Sequence, residues 1–113
     1  MFVILRTITV SEGSADQVVE RFSQPGSVVA QQPGFVDMQV LVKQVRRGEE
    51  EVLIMFRWES EQDWKNWEKS DAHVQGHRNK AGQPKPEYIL NVSHAKYEVK
   101  AVTTAVDETK PTV

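Results

Sequence analysis

The chain has 113 residues, 39% hydrophobic and 27% charged, the make-up of one globular domain with a single core. Fourteen Lys and Arg stand against 16 Asp and Glu, a formal charge of −2, which argues against a nucleic-acid groove and against an acidic disordered tail. Cysteine is absent, so disulfides, thiolate metal sites and a thiol nucleophile are excluded.

The longest apolar runs, residues 1–5 and 52–56, are far short of the ~20 residues that a membrane helix needs. No basic-then-apolar leader is visible either. A cytoplasmic protein is expected, with neither membrane nor nucleic acid as partner.

Taken in chain order, Phe2–Val10 alternates as a strand whose two faces are both largely apolar. One face carries Phe2, Ile4, Arg6, Ile8 and Val10, with Arg6 as the misfit; the other carries Val3, Leu5, Thr7 and Thr9. After a turn, Ser14 is placed to cap a helix with Gln17 as capping-box partner. Ala15, Val18, Val19 and Phe22 then follow at amphipathic spacing, and Pro25-Gly26 ends the helix. Residues 35–45 predict a second strand with Val36, Met38, Val40 and Val42 on one face. Arg46-Arg47-Gly48-Glu49 forms a hairpin loop, and residues 51–58 return antiparallel.

Ser60 caps a further helix with Glu61 and Asp63 in its first turn. Ser70-Asp71 predicts a break and a new helix over residues 72–80. Gly82, Pro84 and Pro86 form a loop, residues 88–102 a last strand, and the pattern dissolves beyond residue 103. The domain therefore spans residues 1–102, with 103–113 as a C-terminal tail.

Strand, helix, strand, strand, helix, strand is the order of an α+β, ferredoxin-like, four-stranded antiparallel sheet with helices on one face. The helix-free face retains Val3, Leu5, Leu53 and Met55, an apolar patch that a sheet-to-sheet homodimer would cover.

Residues 64–77 gather Trp64, Trp67, His73 and His77. On one straight helix, Trp67 and His77 would lie ~15 Å apart along the axis and about 80° apart around it, too far to share a small ligand. A break at Ser70-Asp71 lets both line one pocket. His73 and His77 share a helical face, but the H-E-x-x-H pattern of a zinc site is missing. One alternative puts His73 in solvent and His77 at the helix end. The other makes His77 a single axial ligand to a planar iron macrocycle, with Gly76 leaving room beside it. Trp67 reads either as packing or as a cavity wall. Arg6 on its apolar face needs a carboxylate, an escape to the rim, or an oxygen-containing ligand. His94 reads as a surface residue.

Gly13 to Phe22, the Pro33-Gly34-Phe35 turn, and Trp67-Glu68-Lys69-Ser70-Asp71 followed by Gly76-His77 carry a resemblance. Over nearly the whole domain the sequence resembles the antibiotic biosynthesis monooxygenase superfamily, and within it the IsdG-type heme-degrading monooxygenases of the HmoA-like branch. The resemblance implies a dimeric α+β barrel with heme, as both cofactor and substrate, held between sheet and helices. It implies His77 as the axial iron ligand, Gly76 and Phe22 as heme contacts, and Trp67 as the indole that distorts the porphyrin. Dioxygen and electrons from an external reductase would open the ring and release iron. Arg6 falls where the family carries a catalytic asparagine that hydrogen-bonds the distal ligand. Arginine also donates, but it is longer and permanently charged. Two alternatives remain: a cofactor-independent monooxygenase of a quinol or polycyclic phenol, and a non-catalytic heme-binding protein.

Overall fold

The computed structural model describes residues 1–80 and 85–106, with the side chains of His77, Asn79 and Lys80 outside the description. Along the chain run β1 (Phe2–Val10), α1 (Ala15–Phe22), a 3-10 turn (Val29–Gln31), β2 (Phe35–Val42), β3 (Glu50–Trp58), α2 (Glu61–Lys69), α3 (Asp71–Lys80) and β4 (Ile89–Glu98). The strands form one sheet in the order β2-β3-β1-β4, every neighbour antiparallel. This is the ferredoxin-like arrangement expected from the order of elements.

Local chemistry sets the boundaries. Ser60 caps α2 by accepting from the Asp63 amide at 3.2 Å. The capping box expected at Ser14 does not form: the Ser14 side chain makes no cap bond and pairs instead with the Ser11 hydroxyl at 2.9 Å. The Glu50 carboxylate at the start of β3 replaces it, accepting from the Ala15 amide at 2.9 Å. An anion from a distant strand thus serves the positive end of α1.

Two strands are shorter than their patterns. β2 ends at Val42, opposite Val52, although the Lys43 amide still donates to the Glu51 carbonyl at 2.9 Å before the chain leaves the sheet. At its other end the register shifts between Phe35 and Asp37, so Val36 is bulged and half-exposed while Phe35 joins Met38 on the helix side. β4 spans Ile89–Glu98 rather than 88–102. Beyond the Val99 amide, which donates to the Met1 carbonyl at 2.9 Å, β1 has no residue left to pair with. Residues 99–106 carry neither helix nor strand. The rest of the expected tail, 107–113, and the loop positions 81–84 lie outside the described residues.

The helices do not cover the sheet evenly. α1 has eight residues, a rod of about 12 Å, whereas β1 has nine residues and extends about 30 Å. One buried cluster, Ile8, Val10, Ala15, Val18, Val52 and Ile54, lies under α1. At the other end Trp58 is buried, with Phe35 edge-on to it at 5.2 Å, and Phe2 packs against Trp64 of α2 at 5.3 Å. Between these ends Ile4, Arg6 and Phe56 are only half-buried. The gap in the roof defines the site.

Candidate functional site

Three adjoining lobes open into this gap, of about 430, 320 and 350 Å³, and Arg6 and Phe56 line all three. The first lies under α1, bounded by Val18, Arg21, Phe22 and Tyr88. The second runs toward α2, past Ile4, Trp64, Trp67, His73 and His94. The third lies against α3, at Trp67, Ala72, His73 and Gly76.

The break between α2 and α3 forms where the sequence placed it. Ser70 is extended, at φ −67 and ψ 149. Its hydroxyl donates to the Trp67 carbonyl at 2.7 Å and accepts from the His73 amide at 3.3 Å, closing one helix and starting the next. Residues six apart on one straight helix would lie about 120° apart around the axis. Across the break, the rings of Trp67 and His73 meet edge-to-face at 4.9 Å. The two tryptophans divide their work: Trp64 is fixed by Phe2 below and by the Lys96 ammonium 4.5 Å from its ring, while Trp67 stands at the junction of two lobes.

His73 is half-buried in the cavity wall rather than in solvent. His77 belongs to α3, but its side chain lies outside the described residues. Gly76 borders the third lobe, and a Cβ added there would meet nothing within 4 Å. Phe22 borders the first.

Arg6 faces the helices, as the alternation required, yet neither expected carboxylate nor rim escape accounts for it. Its Nε–H donates to Nε2 of His94, the residue directly opposite on β4, at 2.9 Å. Burial, then the nearby Arg21 cation, lowers the Arg6 pKa from its ordinary value. Burial, then Arg6, likewise lowers that of His94, favouring neutral imidazole. His94, which reads as a surface residue from sequence, is thus both exposed and part of the site. Only cross-strand register could have revealed it. Among the described residues no cluster of three or more His, Asp or Glu could hold a metal ion. The site therefore offers aromatic walls, a floor donor and a small-residue opening, suited to a large flat ligand with a polar centre.

A family model described as Antibiotic biosynthesis monooxygenase matches residues 1–79. The heme-degrading monooxygenase HmoA of Bacillus subtilis is 55% identical over 102 residues, covering 90% of this chain and 94% of that one. A Bacillus cereus crystal structure assigned to the antibiotic biosynthesis monooxygenases superposes with a TM-score of 0.82 at 48% identity, covering 95% of this chain and 98% of that one. The heme degrader MhuD of Mycobacterium tuberculosis, solved with two hemes in its active site, shares the fold at a TM-score of 0.67 and 22% identity, covering 92% of this chain and all of that one.

Proposed function

The chain belongs to the antibiotic biosynthesis monooxygenase family, and from that membership we propose that it is a heme-degrading monooxygenase, opening the porphyrin with O2 and electrons from an external reductase to release iron. The observation that carries this reading is the three-lobed cavity meeting at Arg6 and Phe56. It is walled by Ile4, Phe56 and Trp67 and open at Gly76, a shape and chemistry that suit a planar macrocycle.

Bound heme would supply both the redox-active iron and the ring to be cleaved. His77, in α3 one turn beyond the cavity-lining His73, would hold the heme iron, the role that the family resemblance implies for it. Gly76 would leave the approach clear. Trp67, half-buried at the lobe junction, would press a macrocycle out of plane, and Phe22 would close the end under α1. Arg6 donates hydrogen bonds at the cavity floor, where it would orient the distal ligand and hold its charge. Among the described residues no helix is long and apolar enough to cross a membrane, and we place the enzyme in the cytoplasm with its electron donor. Two copies would join through the helix-free face, where Val3, Leu5, Leu53, Met55 and Leu41 line up across β1, β3 and β2.

Titration with hemin tests this reading. The wild type should develop a Soret band that His77→Ala loses. Added reductant should then bleach the band and yield chelatable iron. A stable reduced spectrum would instead mean a heme-binding protein, and no Soret band at all a cofactor-independent oxygenase.

A further inference from the structure

Arg6 presents an unsolved positional problem. A long, flexible cation sits at the cavity floor, and among the described residues no carboxylate pairs with it. Arginine reaches a bound ligand with useful geometry only if its guanidinium is held from the other side. The first lobe contributes a second cation, Arg21, and no acid among its described lining residues. Like-charge repulsion there would push Arg6 away from α1. What holds it is one bond, from its Nε–H to His94 Nε2, between residues in direct register on β1 and β4.

We propose that His94 is the positioning residue of the site: its imidazole holds Arg6 by Nε, leaving the terminal guanidinium nitrogens as donors for the ligand in the cavity. This rests on the functional reading above and extends it to a residue on the edge strand. The geometry fixes the histidine tautomer. Nε2 must carry a lone pair, so the ring is neutral with its proton on Nδ1. Protonation at Nε2 would abolish the acceptor and set two cations against each other.

The charged and titratable groups that share the lobe of His94, or reach it through Arg6, come from every neighbouring element. They are Arg6 on β1, Arg21 on α1 acting through Arg6, Glu68 on α2, His73 on α3 and Lys96 on β4. Of these, Arg6 opposes a charge on His94. With its pKa held below the ordinary histidine value, His94 keeps the pair closed at neutral pH and releases it on acidification.

The test compares wild type, His94→Gln, whose amide oxygen can still accept, and His94→Leu, which cannot. In the ligand-free protein, the Arg6 Nε–H resonance is followed by nitrogen-15 NMR from about pH 8 to about pH 5. It should be protected from exchange in wild type at neutral pH, vanish on acidification, persist in His94→Gln and be absent in His94→Leu. With heme loaded at saturation, His94→Leu should turn over about tenfold more slowly while its heme affinity stays within about threefold of wild type. His94→Gln should retain the neutral rate and lose the acid limb of the pH profile. An Arg6 resonance indifferent to His94→Leu, or a His94→Leu rate and pH profile equal to wild type, would overturn the proposal. A wild type that takes up no heme would instead remove the function assigned to the site; the ligand-free resonance still decides whether His94 holds Arg6.

Discussion

Ser70→Ala removes the hydroxyl that bonds to both helices at the α2–α3 break, and its effect can be worked out bond by bond. The hydroxyl accepts from the His73 amide at 3.3 Å as an N-cap, and losing such a cap costs about 1 kcal/mol. It also donates to the Trp67 carbonyl at 2.7 Å, but that oxygen still receives the Ser70 amide at 3.0 Å and is not orphaned. The second loss adds no more than about 0.5 kcal/mol. α3 has ten residues, none of the described ones fully buried, and a helix this short is marginal without its cap.

The loss should therefore appear as local opening of α3 rather than as global unfolding. Hydrogen exchange at the amides of His73 and Val74 should quicken by about 5- to 13-fold, while the amides of β1 and β3 keep their protection. Ser70→Asp, which retains an acceptor for the His73 amide, should restore most of it. Because the break sets the contact between Trp67 and His73, heme affinity should fall with the protection of α3. Unchanged exchange at His73, or an equal loss of protection across the sheet, would refute the view that Ser70 is a local hinge.

Gly34→Ala should cost about 2–4 kcal/mol in urea unfolding. Gly34 has φ +82, and a Cβ there would land on the Asp63 side chain at the start of α2; a loss below about 1 kcal/mol would deny that approach. Asp37, held by the Arg57 fork with Nε to Oδ1 at 2.6 Å, has its pKa lowered first by that hydrogen bond. Its contribution is present above the ordinary carboxylate pKa of about 4 and is lost as pH falls through the lower folded value, so Asp37→Asn should flatten the acid side of the stability curve. Both groups are about a third exposed, and about 1 M salt should shrink the effect. Trp67→Ala should slow heme turnover by about tenfold or more while changing affinity less than about threefold, because pressure on the macrocycle acts on reactivity; equal losses in rate and affinity would contradict this role. The proposed sheet-to-sheet dimer predicts that the wild type sediments as a dimer in analytical ultracentrifugation and that Met55→Glu, at the middle of the helix-free face, sediments as a monomer.

Most of the fold was legible because period-two and 3.6-residue patterns report burial directly. β1 and α1 have the expected limits, and the break at Ser70 lies where an N-cap residue interrupts the helical run. What sequence could not supply were features decided by partners distant in the chain. The cap of α1 comes from Glu50, 35 residues beyond Ala15. The end of β4 depends on where β1 begins, and the bulge at Val36 turns a strand that alternates well on paper. In the site, Arg6 was conspicuous because a cation stood among Phe2, Ile4, Ile8 and Val10. Its partner was not, for His94 sits among polar residues on an edge strand. The sequence left His73 between solvent and cavity because helical periodicity cannot indicate which face the chain before a break will shelter.

The same geometry explains why stability and chemistry reside in different residues. β1 buries its first residue and its last two helix-facing ones, Phe2, Ile8 and Val10, and leaves Ile4 and Arg6 half-covered between them. On β3, Val52, Ile54 and Trp58 are buried and Phe56 is not. Two short helices clamp the ends of the sheet, so the core does not need its centre filled. A longer α1 would cover the centre, burying more apolar surface and removing the cavity. A desolvated arginine beside another cation is unfavourable for folding, and a leucine at position 6 would pack better against Ile4 and Ile8. An arginine there gives up packing and places a hydrogen-bond donor in the cavity instead. His94 gives this cation a neutral partner. It accepts one hydrogen bond without introducing an anion to compete with an oxygen-bearing ligand.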